Sequence, residues 1–296
     1  MRLKAIGLQV AMGLLRIFSV LPQFMIVIVA KFATWIVWRA NGRLRRVTKR
    51  NLEICFPDFS AEQRTQLSRR SLASLSLSIV DAGRTWLWQP ERLLQDITSV
   101  VGEEYLSAAT AAGGGTLVLF PHLGNWELAN LWLCERYSVT SMYGQPKAPV
   151  FDEFVRKARQ RNGAILVSTG VAGLRALLKT LKSGDLVSLL PDQVPESRFG
   201  RFAPFFGEPT LTMTLATNLL SRTGAKAVSA YCKRLPDGKY ELVFCPVDEA
   251  IYDSDSPTAL AGLNRSVERC ILECPEQYLW AYKRFKVLPN MEHRDY

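Results

Sequence analysis

The chain has 296 residues, of which 48% are hydrophobic and 22% are charged, and this composition excludes a disordered protein. Its formal net charge of +10 is confined to residues 1–50, which contain ten Lys and Arg residues and no acid, whereas residues 51–296 carry 27 basic and 27 acidic side chains. A nucleic-acid partner is therefore not expected, because such proteins spread basic residues over a folded face, and a basic, apolar leader favours an anionic membrane surface.

The first predicted element is an apolar segment over residues 5–38. Its longest run without a charge, Ile17–Ala30, has 14 residues, fewer than the roughly 20 that a spanning helix needs. If Lys31 extends its ammonium group toward the interface, a single helix Ile17–Trp38 of 22 residues reaches about 33 Å. The sequence therefore predicts an N-terminal membrane-anchoring helix.

Six basic residues follow between positions 39 and 50. If the helix spans the bilayer, these charges place the rest of the chain in the cytoplasm; otherwise the helix is a monotopic anchor in the interface. A cleaved signal peptide and a buried helix of a soluble protein are two further interpretations, which the lack of a clean cleavage site and of acidic residues disfavours. We accordingly predict a membrane anchor with a basic juxtamembrane segment over 1–50 and a catalytic domain over 51–296.

The remaining chain alternates helical and strand patterns. Ser60 and Gln63 have the spacing of a capping box that begins a helix running to about Trp88. Further predicted elements are a strand Thr116–Phe120, a helix ending near Cys134, a basic helix Phe151–Asn162, a strand Ile165–Ser168, a helix Val171–Lys182, a strand Asp185–Leu190, a helix Thr210–Arg222, a hairpin of Ala227–Cys232 with Tyr240–Cys245, and a last helix from Ser256. The pattern predicts an α/β fold with a mixed or mostly parallel sheet flanked by helices. Six scattered cysteines and two histidines predict no metal site.

His122 and Glu127 are the candidate catalytic residues. On one continuous helix they would point about 140° apart, so they approach each other only if His122 follows a strand and Glu127 begins the next helix. The strand pattern before His122 and the turn residues Gly124 and Asn125 provide for this. A carboxylate beside a histidine fixes its tautomer, and such a histidine accepts a proton from an attacking hydroxyl. The alternative is a loop histidine and a helix N-terminal acid that is favoured by the helix dipole.

The sequence His122-Leu-Gly-Asn-Trp-Glu127 after an apolar strand resembles the H-x4-D/E motif of glycerolipid-type acyltransferases. It is most similar to the late acyltransferases of lipid A biosynthesis, the lauroyl/myristoyl transferase family. Other segments agree in the same order: Asn51–Pro57, Arg159–Gly163, Leu190–Gln193, Pro204–Gly207, Pro275–Trp280 and Lys283–Phe285.

This resemblance implies a glycerolipid-acyltransferase-like fold and a bacterial inner-membrane enzyme with its catalytic domain on the cytoplasmic face. It implies an acyl chain delivered on acyl carrier protein, a lipid A precursor as acceptor, and no cofactor. It also implies that His122 is the general base and that Glu127 is its orienting partner. The alternatives are the same transfer onto another glycolipid or lipid, and a non-catalytic membrane-anchored relative.

Four more residues complete the candidate site. Arg159 and Asp192 match family positions in the active site, and we assign Arg159 to an acceptor phosphate or the developing oxyanion, because a guanidinium suits either. Asp192 either holds Arg159 or shapes the pocket. Asn125 and Gln193 are weaker candidates for substrate binding or transition-state stabilisation, and Arg159 is alternatively a solvated charge on a basic helix.

Overall fold

The computed structural model describes residues 2–144, 149–161 and 163–296. The first 87 residues form four helices: α1 (Arg2–Val20), α2 (Gln23–Ala40), α3 (Arg43–Cys55) and α4 (Ala61–Leu87). Pro22 lies between α1 and α2 in an extended conformation and cannot donate a helical hydrogen bond. The single helix predicted over Ile17–Trp38 is therefore wrong, because Pro22 divides it. Among the described residues, α2 is the one helix that is long and apolar enough to cross a membrane, by length and composition.

The long helix α4 supports both N-terminal helices. It begins at the predicted capping box, in which Ser60 and Gln63 exchange side-chain and backbone hydrogen bonds. Along α4, Val80 packs against Ile26 and Ala30 of α2. The backbone of α1 comes so close to Gly83 that a Cβ atom there would lie 2.2 Å from the Leu15 carbonyl oxygen. One face of α1 and one of α2 are thus covered by α4.

The remaining helices and strands follow the predicted alternation closely. They are α5 (Pro90–Leu94), β1 (Ile97–Val101), α6 (Glu103–Ala111), β2 (Thr116–Leu119), α7 (Trp126–Cys134), β3 (Val139–Tyr143), α8 (Pro149–Arg161), β4 (Ile165–Ser168), α9 (Val171–Lys182), β5 (Leu186–Leu189), β6 (Gly200–Phe205), β7 (Glu208–Met213), α10 (Leu215–Thr223), β8 (Lys226–Arg234), β9 (Tyr240–Pro246) and α11 (Ser256–Glu273). Asn162, the last residue of the predicted basic helix, lies outside the described residues.

Seven strands form one sheet in the order β1-β9-β8-β2-β5-β3-β4. The strands β8, β2, β5, β3 and β4 are parallel neighbours, and β9 pairs antiparallel with β8 through the predicted hairpin. Helices α5, α6 and α7 contribute to the apolar core on one face, and α9, α10 and α11 to the core on the other. The α/β fold with a mixed, mostly parallel sheet is confirmed.

The predicted helix Thr210–Arg222 is wrong in its first part. Residues Glu208–Met213 form β7, which pairs antiparallel with β6, and the helix α10 begins only at Leu215. Thr210 and Thr212 are fully buried in this hairpin, and β-branched side chains fit a pleated strand better than a helix. The strands β1 and β3 were not predicted. The domain boundary after residue 50 stays a prediction.

Candidate active site

The loop that carries His122 leaves the carboxyl end of β2, at the centre of the sheet. Its backbone is held from two sides: Gly124 donates to the Gln277 carbonyl at 3.2 Å, and Asn125 donates to the Cys232 carbonyl at 2.8 Å. Gly124 has φ +61°, and a Cβ atom at this position would lie 2.0 Å from the Cys232 carbonyl oxygen. The close approach of loop and strand therefore requires glycine here.

A second loop leaves β5, the strand beside β2. Leu119 and Leu189 are paired in parallel register at the ends of these strands, so the residues that follow them lie side by side. Asp192, 3% exposed, accepts hydrogen bonds from the His122 backbone N–H at 2.8 Å and from its ring Nδ1 at 2.7 Å. Both carboxylate oxygens thus hold His122, one through the backbone and one through the ring.

The two partners of the His122 ring agree on one tautomer. A carboxylate oxygen only accepts, so Nδ1 carries a proton toward Asp192. The Gln193 side-chain nitrogen lies 3.0 Å from Nε2 on the other side of the ring and is a donor, so Nε2 accepts. The arrangement is that of a neutral imidazole whose Nε2 lone pair accepts from the Gln193 side chain.

Asp192 is ionised in this environment. Burial favours its neutral form, but the positive charge that His122 carries when it is protonated, and the ring and backbone hydrogen bonds from His122, outweigh that effect, so the pKa of Asp192 lies below its ordinary value. The buried guanidinium of Arg284 acts in the same direction. An ionised carboxylate at Nδ1 stabilises the imidazolium that forms when Nε2 takes up a proton.

Glu127 pairs with Arg159 instead of with His122. It lies in the first turn of α7, and both of its oxygens accept from Arg159 of α8, with Nε to Oε2 at 3.0 Å and a second bond from Nη2 to Oε1. Burial alone would lower the pKa of Arg159, but the charge and hydrogen bonds of Glu127 raise it. The pair is fork-shaped and partly buried, which fixes the direction of the guanidinium.

The structure places the six predicted residues on adjoining loops and helices, and it gives the His122 ring a different carboxylate partner from the predicted one. His122 at a strand end and Glu127 in the next helix lie where the sequence placed them, yet in the described residues Asp192 is the carboxylate that holds the His122 ring. The predicted contact of Glu127 with His122 is replaced by the contact of Asp192 with His122, and of the two alternatives given for Asp192, holding Arg159 or shaping the pocket, the first is not the one seen, because Arg159 pairs with Glu127. The physical reason is topological, since the loops after neighbouring parallel strands face each other directly.

Asn125, on the loop that carries His122, makes contacts that hold α7 in place. Its side-chain oxygen caps α7 by accepting from the Leu128 N–H at 3.1 Å, and its amide donates to the Thr85 hydroxyl of α4 at 3.3 Å. Asn125 therefore fixes the start of the helix that carries Glu127 and joins it to α4. A substrate contact by Asn125 stays a prediction.

An apolar cavity of about 180 Å³ opens beside Glu127, between α4 and the start of α7. The apolar part of its lining consists of Leu75, Ile79, Ala82, Trp86 and Trp126. The polar part consists of Asp81, Thr85, Asn125, Glu127 and Arg234. Of the aromatic residues of the sequence, Trp86 and Trp126 are thus placed next to the candidate catalytic groups.

Two polar residues near the site were not predicted. The Tyr282 hydroxyl accepts from the Val194 N–H at 2.9 Å, two residues after Asp192. Arg284 donates to the Leu211 carbonyl and to Thr212, which joins the β6–β7 hairpin to the region behind Asp192. Arg284 lies in a segment that the family resemblance includes, and Tyr282 lies just before that segment. The sequence signal that could have indicated these two residues was therefore their proximity to a motif of the family.

Comparison with known proteins identifies the family of the chain. The model of the family described as bacterial lipid A biosynthesis acyltransferase matches residues 3–287. The chain is 30% identical to the lipid A biosynthesis lauroyltransferase of Escherichia coli strain K12 over 254 residues, which cover 85% of this chain and 82% of the relative. It is 31% identical to the palmitoleoyltransferase of the same strain, with 83% and 80% covered, and 24% identical to its myristoyltransferase, with 87% and 81% covered.

Fold, site and relatives define the chain as an acyltransferase. More specifically, it belongs to the bacterial lipid A biosynthesis acyltransferase family, and its reaction is an acyl transfer in lipid A biosynthesis.

Proposed function

We propose that the protein transfers a fatty acyl group from acyl carrier protein to a hydroxyl of a lipid A precursor, with His122 as the general base. The observation that carries this proposal is the His122 ring, held between Asp192 and Gln193 with Nε2 as an acceptor. A neutral imidazole in this state can take the proton from a hydroxyl as its oxygen attacks a thioester. No covalent acyl-enzyme is required.

The proposed reaction proceeds in two stages. The acceptor hydroxyl takes the place of the Gln193 amide at Nε2, its oxygen forms a bond to the thioester carbonyl carbon, and its proton passes to Nε2. The tetrahedral intermediate then collapses, the carbon–sulfur bond breaks, and the leaving thiolate takes the proton back from the imidazolium. Asp192 stabilises the imidazolium between these stages.

Arg159 is proposed to stabilise the negative charge that develops on the carbonyl oxygen, or an acceptor phosphate. Glu127 occupies two of its five guanidinium N–H groups and directs the others. Holding a preorganised cation near developing charge is among the largest contributions that an enzyme makes to a rate. Glu127 is therefore proposed to act through Arg159.

The acyl chain is proposed to lie in the cavity beside Glu127. Apolar side chains of α4 form its wall, and burying methylene groups there stabilises the bound chain by about 0.8 kcal/mol for each group. The polar end of the cavity, with Arg234 and Asp81, would limit how far the chain enters.

We propose that the enzyme works at the cytoplasmic face of the bacterial inner membrane, with α1 and α2 lying in the interface. Large apolar side chains are exposed on both helices, among them Ile17 on α1 and Ile28 and Phe32 on α2. Along its length α2 also contacts α4: Thr34 donates to Ser76, and Gln23 accepts from Arg84. If α2 spanned the bilayer, α4 with its arginines and Asp81 would enter the hydrocarbon, at a cost of roughly 2.5–3.5 kcal/mol for each charge near the centre. An in-plane position avoids that cost.

A transfer assay tests the proposed function. Detergent-solubilised protein is mixed with acyl carrier protein thioesters of several chain lengths and a lipid A precursor, and products are weighed by mass spectrometry. The proposal predicts a gain of one acyl chain on the precursor. If only another glycolipid gains an acyl chain, that glycolipid is the acceptor and the proposed lipid A precursor is not. If folded protein transfers no acyl chain from any donor, the proposed reaction is rejected.

A further inference from the structure

Asn51 is a fully buried amide on α3 whose hydrogen-bonding groups are all directed to the C-terminal part of the chain. Its side-chain nitrogen donates to the carbonyls of Trp280 and Tyr282, both at 2.7 Å, and its oxygen accepts from the Tyr296 hydroxyl at 2.9 Å. Asn51 begins one of the segments that resemble the acyltransferase family, yet it lies outside the proposed reaction.

The segment that Asn51 holds contacts both loops of the site. Leu279 donates its N–H to the His122 carbonyl at 3.0 Å. Three residues later the Tyr282 hydroxyl accepts from the Val194 N–H at 2.9 Å, next to Asp192 and Gln193. One short stretch, 279–282, therefore contacts the loop after β2 and the loop after β5.

We infer that Asn51 and Tyr282 are positioning residues that set the distance between His122 and Asp192. The 2.7 Å hydrogen bond between the His122 ring and the Asp192 carboxylate joins loops that follow different strands. Its geometry therefore depends on how the two loops are held relative to each other. Tyr282 fixes the Asp192 loop, the Leu279 backbone fixes the His122 loop, and Asn51 fixes the segment that carries both contacts. The inference rests on the proposed function for its effect on rate, but its structural effect can be measured without substrate.

The direct readout is the tautomer of His122. The chain has two histidines, and His293 is exposed, so His293→Gln leaves His122 as the only imidazole. In uniformly 15N-histidine-labelled protein in detergent, the ring nitrogen shifts report which nitrogen carries the proton. We expect the Nδ1–H form in this background at neutral pH, because Asp192 accepts from Nδ1.

Tyr282→Phe in the His293→Gln background removes one hydroxyl and keeps the ring. We expect a measurable share of the Nε2–H tautomer, and in transfer assays a kcat lower by about tenfold with KM within twofold, because a lost hydrogen bond shifts the loop without removing a substrate contact. Asn51→Ala should act in the same direction, since it leaves two carbonyls of the segment unpaired.

Tyr252→Phe is the matched control. The Tyr252 hydroxyl also accepts from a backbone N–H, that of Ala227 at 2.8 Å, but Ala227 lies at the amino end of β8, away from the site. This variant should keep the Nδ1–H tautomer and the kcat. An unchanged tautomer in Tyr282→Phe, or an equal loss of kcat in both tyrosine variants, would overturn the inference. A tautomer shift in Tyr282→Phe supports the positioning role even if no acyl transfer is found, so the two proposals fail separately.

Discussion

The two carboxylates of the site differ in what each holds. Asp192 is buried and holds the ring and backbone of His122, 70 residues away in the chain, whereas Glu127 holds Arg159 through a fork-shaped ion pair. Each acid contacts a different group, His122 or Arg159, and in the proposed mechanism this separates proton transfer from charge stabilisation. This division leads to two tests at the scale of single residues.

Asp192→Asn should lower kcat by on the order of a hundredfold or more, because the amide no longer selects the Nδ1–H tautomer or stabilises the imidazolium. KM should change little, and circular dichroism should show a folded protein. Asp248→Asn is the control, since Asp248 pairs with Arg265 and Arg269 outside the site. A rate for Asp192→Asn within threefold of the control would show that Asp192 does not assist His122.

Glu127→Gln and Arg159→Gln should each slow transfer, and the double variant should be no slower than the slower single variant, because the two residues act as one unit. Initial rates of the three variants under identical substrate concentrations measure this. A double variant whose loss equals the product of the two single losses would mean that Glu127 and Arg159 act independently.

Sequence reasoning named these residues as candidates but gave Glu127, and not Asp192, as the carboxylate that contacts His122. The spacing of His122 and Glu127 correctly indicated a strand end followed by a helix start. The contact between His122 and Asp192 depends on β2 and β5 being neighbours in the sheet, and a sheet order that joins strands 2 and 5 cannot be derived from local patterns. The same limit explains why Asn51 and Tyr282, 231 residues apart, were not connected.

At the scale of elements, α4 is the helix that joins the N-terminal helices to the site. One face of it packs against α1 and α2, and another face of the same stretch forms the wall of the apolar cavity beside Glu127. Its start was predictable from the capping box, because that signal is local. Its packing partners were not, because a long helix with mixed polar and apolar positions is compatible with several neighbours.

Ala82→Phe should shorten the preferred acyl chain, because the larger side chain fills the cavity next to Ile79 and Trp86. One methylene changes specificity by about 1–3 kcal/mol, so the product distribution should move toward donors shorter by two or more carbons. Mass spectrometry with an equimolar mixture of acyl donors measures this shift. Ala73→Phe, on the same helix but away from the cavity, is the control, and an unchanged distribution in Ala82→Phe would place the acyl chain elsewhere.

At the scale of the whole molecule, charge and exposed apolar surface lie in the same region. The entire net charge belongs to the first 50 residues, and α1 and α2 carry many of the large exposed apolar side chains of the described chain. The charge asymmetry was visible in the sequence. The break at Pro22 and the packing of α2 on α4 are the two structural observations on which the proposed in-plane arrangement rests.

Replacing Ile28 and Phe32 by Asp should weaken binding to vesicles that contain anionic lipid by more than tenfold, since each apolar side chain contributes about 1.5–3 kcal/mol when buried. Both residues lie on the exposed face of α2, with exposed fractions of 60% and 62%. Co-sedimentation measures the bound fraction. Val101→Asp, at an exposed position of the edge strand β1 outside α1 and α2, should bind like the unaltered protein, and equal binding of all three proteins would locate the membrane contact elsewhere.

The most direct test of the account is the rate of acyl transfer by His122→Gln compared with that of the unaltered protein, under saturating donor and acceptor. A positioned general base contributes a factor of about 10²–10⁴, so we expect the variant to be at least a hundredfold slower while it remains folded and membrane-bound. A rate within a few-fold of the unaltered protein would contradict the assignment of His122 as the base, and with it the proposed mechanism.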